Sequence, residues 1–178
     1  LLSCALAGST VAVQAEEAGT DTVKSYLTGE DVSVGIGHRR PIAVMLGNDT
    51  NGAPQSGTEN AGVIYEAPVE GSITRLMAII EDYDNIPRIG SVEAAVITSC
   101  SMQMSMMPSI LIMTGCICTS VSGPAPDRQS EGLTLGNAYY RSTDRVAPHN
   151  AYTDFSHLQA GIQSQGYSQD YKEDYNGH

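Results

Sequence analysis

The sequence predicts an α+β domain, with a mixed or antiparallel sheet and a few helices, and three stretches carry that prediction. "PIAVML" (41–46) is a short apolar run bounded by Pro41 and Gly47, the pattern of a buried strand. "VIYEAPV" and "SITRLMAII" are two β-rich runs separated only by "EGS", which reads as a hairpin-like pair. "DFSHLQAGIQSQG" places Phe155, Leu158 and Ile162 at helical spacing, with Thr153 or Asp154 available as N-cap and Gly166 where a C′ glycine belongs.

Length and composition bound the rest. A chain of 178 residues can hold one ordinary domain, or part of a larger one, with a real apolar core. Its formal net charge of −11 would repel a phosphate backbone, so nucleic acid is not an expected partner. The opening "LLSCALAGSTVAVQAEE" reads as the apolar part of an export signal. Three readings of it stand: cleavage after Ala15, with Val13 and Ala15 at the small-residue positions; lipidation of Cys4 in a lipobox-like "LLSC"; or an ordinary structured start. The first two place the protein outside the cytoplasm, in the cell envelope. The expected organisation is a signal remnant over 1–15, a polar Gly-rich tether over 16–39 and an α+β domain over 40–178. The acidic, tyrosine-rich end "YSQDYKEDYNGH" has no terminating signal, so the domain is expected to be truncated there.

Two stretches hold residues suited to chemistry. In "VIYEAPVEGSITRL", Glu66 and Glu70 lie near Arg75. On one extended strand the two carboxylates would stand about 13 Å apart, at about 3.3 Å per residue, too far for a paired-carboxylate glycosidase unless Pro68 bends the chain. The alternative is a strand-end glutamate paired with Arg75 across a hairpin. "YYRSTDRVAPHNAYT" (139–153) is richer. Arg141 and Arg145 can clamp an anion, His149 can transfer a proton near neutral pH, and Asn150 can donate to a developing oxyanion. The alternative there is local structure: Arg145 paired with Asp144 or another carboxylate, and His149 bonded to nearby backbone. No nucleophile elbow and no Walker-type loop occurs, and nothing calls for a cofactor. Cys100, Cys116 and Cys118 form no C-x-x-C pair and have no histidine near them in sequence, so no metal site is expected.

"SYLTGEDVSVGIGHRRPIAVMLGN", "APQSGTENAGVIYEAPVEGSITRLMAII", "DYDNIPRIGSV", "YYRSTDRVAPHNAYT" and "GYSQDYKEDYNGH", in that order, resemble the YerB-like lipoproteins of Gram-positive bacteria, a domain-of-unknown-function family. The likeness covers residues 25–92 and about 133–178. It implies an exported, usually lipid-anchored envelope protein with an α+β N-terminal domain and a further C-terminal domain. Between the two regions the likeness fails. The family pattern would continue after "IGSV" with an Arg-Ser-x-Arg segment and an aromatic-rich run.

In its place stands "VITSCSMQMSMMPSILIMTGCICTS", which holds five of the seven methionines and three of the four cysteines. Residues 94–126 carry no charge, yet Ser, Thr, Gln and Pro108 interrupt every candidate for an 18-residue apolar span. The stretch follows neither the helical nor the strand period. Two readings of it stand, a true variant core strand or helix and, as the leading expectation, a frameshift. With permissible codons for residues 92–114 and one nucleotide restored after the first two bases of the Val92 codon, the same DNA reads "RSCRNYFLFYANEYDAIYSHYDG", the segment the resemblance calls for. Residues at about 93–130 are therefore expected to be out of frame, and the middle of the domain disrupted.

The leading functional expectation is a binding module: an envelope protein whose cleft presents Arg75, Arg141, Arg145, His149, Asn150, Glu66 and Glu70 to an anionic or cell-wall saccharide ligand. The rival is a cell-wall hydrolase or transferase using His149 or Glu70 as general base. Under a third reading, a scaffold, the arginines and histidine would scatter over the surface instead of converging.

Overall fold

The computed structural model describes residues 21–93, 110–113, 129–131 and 138–171. The domain is α+β and mostly sheet, as the strand and helix patterns predict. The chain runs β1 (Thr22–Lys24), β2 (Asp31–Ser33), α1 (Val34–Gly37), β3 (Ile42–Gly47), β4 (Val63–Pro68) and β5 (Thr74–Ile80). It continues through β6 (Ile89–Gly90), β7 (Ile110–Met113), β8 (Gln129–Glu131), β9 (Tyr140–Arg141), β10 (Ala151–Thr153) and α2 (Phe155–Gln165).

The main sheet has the order β4-β5-β3-β7-β8. The apolar run beginning at Ile42 is its central strand. Ile42, Ala43, Val44, Met45 and Leu46 are all fully buried, so both faces of β3 are covered, which is why the run shows no alternation. Its larger side chains are worth roughly 1.5–3 kcal/mol each when fully buried. β5 pairs antiparallel with β3 (Val44↔Ala78) and with β4 (Ile64↔Ala78), which makes the predicted hairpin. The turn between β4 and β5 contains Gly71 at φ +76°, a left-handed conformation that suits glycine. β7 pairs parallel with β3, and β8 parallel with β7, so the sheet is mixed. The apolar "ILIM" of the uncharged stretch is thus a strand beside β3. The other residues of that stretch lie outside the described residues, as do Cys4, the signal-like start and the end beyond Tyr171.

A second sheet, β6-β10-β9, packs with α2 on the β3 face that carries Ile42, Val44 and Leu46. Asp154 is the N-cap of α2, its carboxylate accepting the His157 N–H at 3.0 Å, and Gly166 closes the helix at φ +63°. Leu158 and Ile162 enter the core, whereas Phe155, the first helical residue, remains 39% exposed.

Residues 21–39 are not an extended tether. β1 and β2 form an antiparallel hairpin (Val23↔Val32) that leads into α1. The hairpin is fastened by polar groups: the buried Ser25 hydroxyl donates to Glu81 Oε2 at 2.6 Å and accepts the N–H groups of Leu27 and Thr28. Arg39 lies 3.9 Å from the centre of the Tyr83 ring and pairs with Asp84 at 2.7 Å. Burial pushes the Glu81 carboxyl up, only partly offset by Ser25, the Leu27 N–H and Arg39, and Glu81 Oε1 has no partner among the described residues.

A carboxyl whose pKa is raised by folding contributes stability that is fully present below its unfolded pKa and is lost as pH rises through the folded value. Glu81→Gln removes that loss while keeping an acceptor for Ser25. The variant is expected to melt roughly 1–3 °C higher at pH 7 and to gain less on acidification toward the ordinary carboxylate range. Thermal unfolding of both chains between pH 4 and pH 7 checks this, and parallel Tm profiles would refute it.

Candidate functional site

β9 and β10 pair antiparallel with Ala151 opposite Arg141, and the Ser142 N–H donates to the Asn150 carbonyl at 2.8 Å, so residues 142–150 form a closed loop between them. Two of the residues expected to face a ligand instead hold this loop. Arg141 Nη1 donates to the Pro148 carbonyl and to Asn150 Oδ1, both at 2.8 Å, and Asn150 Nδ2 donates to the Ser142 carbonyl at 3.0 Å. One N–H of the Asn150 amide and its oxygen are therefore engaged inside the loop. Arg145 reaches across to the loop after β3: Nη1 donates to the Gly52 carbonyl at 3.0 Å and the Tyr152 hydroxyl at 3.3 Å, and Nη2 donates to the Ala53 carbonyl. It pairs with backbone, not with Asp144.

Between these two loops opens a cleft of about 500 Å³, lined by Asn51, Asp144, Arg145, Val146, Ala147, Pro148 and His149. Its far wall is a tight turn, with Asp49 accepting the Gly52 N–H at 2.6 Å and Gln55 donating to the Gly47 carbonyl at 2.5 Å. Residues 91–93 run beside the end of β3: the Gly47 N–H donates to the Ser91 carbonyl, and the Glu93 N–H to the Met45 carbonyl. This delivers Glu93 to His149, whose Nδ1 lies 2.9 Å from Glu93 Oε1, with side-chain exposures of 20% and 11%. A carboxylate bonded to one imidazole nitrogen fixes the ring's orientation and leaves the other nitrogen for a further partner. A side chain at position 47 would crowd this contact, since a Cβ there would stand 3.2 Å from Glu93 Cγ.

Charge around the cleft is partly neutralised. Arg88 pairs with Asp144 at 2.8 Å and stands 4.5 Å from the Tyr152 ring centre. The Ser142 hydroxyl and then Arg88 hold the Asp144 carboxyl below the usual range. Arg145 and His149 are the cationic and basic groups of the lining, and Asp144 is its acidic one.

The other predicted site residues are elsewhere. Glu66 accepts from Asn48 Nδ2 at 3.1 Å and Thr74 Oγ1 at 2.6 Å, and it stands opposite Leu76, not Arg75. Arg75 is opposite Ala67 and Gly47. Neither Glu66 nor Arg75 lines the cleft. Glu70 begins the 3-10 turn after β4, and its side chain lies outside the described residues. Sequence reasoning missed Glu93 and Asn51. Asn51 sits in "NDTNGAPQ", a turn signal readable only as a loop, and Glu93 is the last charge before the uncharged stretch. Among the described residues no helix is long and apolar enough to cross a membrane, and no group of three or more His, Cys, Asp or Glu could hold a metal ion.

The motif resemblance is borne out by comparison with known proteins. Residues 27–168 match the family described as "Protein of unknown function (DUF3048) N-terminal domain". The chain is 29% identical over 170 residues to the Bacillus subtilis (strain 168) protein named "Putative lipoprotein YerB", covering 88% of this chain and 49% of that protein. It is also similar to the crystal structure of the Bacillus subtilis YerB protein, with a TM-score of 0.72 and 26% identity over 84% of this chain and 52% of that one. The chain thus spans about half the length of the relatives it matches.

Proposed function

The chain belongs to the family of DUF3048 N-terminal domains, and from that premise we propose that it is the ligand-binding domain of an exported, membrane-anchored envelope protein. Its likeness to a protein named as a lipoprotein supports the location, with Cys4 as the residue to be lipidated and cleavage after Ala15 as the alternative. The ligand is an anionic or saccharide group of the cell wall.

The observation that carries the reading is the convergence of Arg145 and His149 on one cleft, where the two loops are clamped together by the arginine itself. Arg145 places positive charge at the wall, His149 and Asn51 offer hydrogen bonds, and Val146, Ala147 and Pro148 supply apolar surface. A carboxylated sugar meets all three. The experiment titrates the chain with N-acetylmuramic acid, which carries a carboxylate, and with neutral N-acetylglucosamine. The acid is expected to bind more tightly, and His149→Ala to weaken it about tenfold, the loss of one charge-assisted bond. Equal or absent binding of both sugars would overturn the reading.

A second reading, a hydrolase or transferase with His149 as general base, is favoured by the Glu93 contact, which orients the imidazole as a proton acceptor requires. If His149→Ala abolished release of soluble fragments from purified peptidoglycan while leaving affinity unchanged, the enzyme would replace the binding module.

A further inference from the structure

Val146 is held out of the domain. It is 84% exposed, while no other exposed large apolar side chain among the described residues exceeds 45%. Single apolar residues on a surface are common and need no partner. Val146 differs because a fixed loop presents it. Arg141 bonds the Pro148 carbonyl and Asn150, Asn150 bonds the Ser142 carbonyl, and Arg145 ties the loop to Gly52 and Ala53. Ala147 and Pro148, exposed beside it, continue the apolar surface along the cleft wall. We infer that Val146 is a specificity determinant, and that the cleft selects a carboxylate whose neighbouring carbon carries a methyl group and an uncharged substituent. This rests on the anion-binding reading of the cleft and names its ligand class.

Three features of the wall define that class. The first is donor capacity. Of the five N–H donors of Arg145, three are engaged among the described residues, by Gly52, Tyr152 and Ala53, which leaves two for a carboxylate. Glu93 takes only Nδ1 of His149, so the second ring nitrogen is a further polar contact. The second feature is spacing. Val146, Ala147 and Pro148 follow Arg145 directly in the chain, and neighbouring Cα atoms stand about 3.8 Å apart, so the ligand's apolar group belongs on the carbon beside its carboxylate. The third is the acidic group of the lining. Asp144 is already paired with Arg88 and with the Ser142 hydroxyl, so an ammonium beside the carboxylate would meet no open carboxylate among the lining residues. An acylated or ether-linked position suits this wall better than a free amino acid.

Two cell-wall groups share this chemistry, the lactyl ether of muramic acid and the carboxyl-terminal alanine of a peptide. In each, one methyl stands next to the carboxylate, small enough to lie against Val146 while the acid faces Arg145. Burying one methyl is worth about fourfold in affinity.

Calorimetry at low salt on the whole chain tests this with two pairs of acids. The sugar pair is N-acetylmuramic acid and the analogue with a carboxymethyl ether in place of the lactyl ether. The amino-acid pair is N-acetylalanine, in both enantiomers, and N-acetylglycine. The methyl-bearing member of at least one pair is expected to bind about fourfold more tightly. Val146→Ser should bring that ratio to about one and Val146→Ile should keep it, and the exposure of the side chain leaves the fold undisturbed by either. Discrimination in the sugar pair assigns the lactyl ether, and discrimination in the amino-acid pair alone assigns the alanyl terminus. Alanine itself should bind more weakly than N-acetylalanine, and the reverse would overturn the uncharged substituent. Equal binding within both pairs, or a ratio unchanged in Val146→Ser, would overturn the inference and leave the anion reading intact. Binding of none of these acids would overturn both.

Discussion

Replacing Tyr152 with alanine is expected to destabilise the domain by roughly 3–5 kcal/mol, the range for truncating a fully buried aromatic ring. Tyr152 is completely buried on β10. Its ring covers Gly90 so closely that a Cβ there would lie 2.5 Å from Tyr152 Cδ1 and 2.7 Å from the Ala151 carbonyl oxygen. The Arg88 guanidinium sits 4.5 Å from the ring centre, and the hydroxyl accepts from Arg145. The core cannot close over the missing ring, because β6 is fixed by its pairing of Gly90 with Tyr152 and by the bonds between Ser56 and Gly90. Urea unfolding should show a lower midpoint with an unchanged m-value. Tyr152→Phe keeps the ring and loses only the hydroxyl bond, so it should cost about 0.5–1.5 kcal/mol. An alanine variant within about 1 kcal/mol of the parent would show that the ring is not the keystone of this corner.

What could be read from the sequence follows physical range. β3, the β4–β5 hairpin and α2 were legible because each is specified locally, by an apolar run between Pro41 and Gly47, by "EGS" between two β-rich runs, and by the Asp154 cap with the Gly166 stop. Strands of two or three residues, such as β6 and β9, carry no measurable period and were not. The hairpin of β1 and β2, inside the 16–39 stretch expected as a tether, was not legible because its anchors are polar. Ser25 on Glu81 and Arg39 on Tyr83 leave no trace in a hydrophobic pattern. The site divides in the same way. His149 and Arg145 stood out by residue type in a loaded loop, but their partners lie far away in the chain, 56 positions for Glu93 and 93 for Gly52. Arg141 and Asn150 looked equally suited to a ligand, and the loop they belong to also uses Arg141 Nη1 and the Asn150 amide in its own closure.

Arg145→Ala is the substitution expected to separate fold from function at the cleft. The guanidinium ties the loop of residues 142–150 to Gly52, Ala53 and Tyr152, and Gly52 is held in turn by Asp49 and by the buried Ser91 hydroxyl. Charge-assisted bonds to backbone carbonyls are worth about 1.5–3 kcal/mol each at most and do not add fully, so a loss of roughly 2–4 kcal/mol follows. The damage is local to the two walls of the cleft, since β3, β5 and α2 do not depend on this contact. Hydrogen exchange should therefore rise at the amides of residues 49–53 and 144–149 and remain slow in β3 and β5. Arg145→Lys keeps the charge and can reach one carbonyl but not the full set, because an ammonium lacks the planar fork. It should recover part of the protection and part of the affinity for the anion proposed as ligand. If the alanine variant left exchange in both loops unchanged, Arg145 would be a bystander to the cleft, and the proposed anion site would rest on His149 and Asn51.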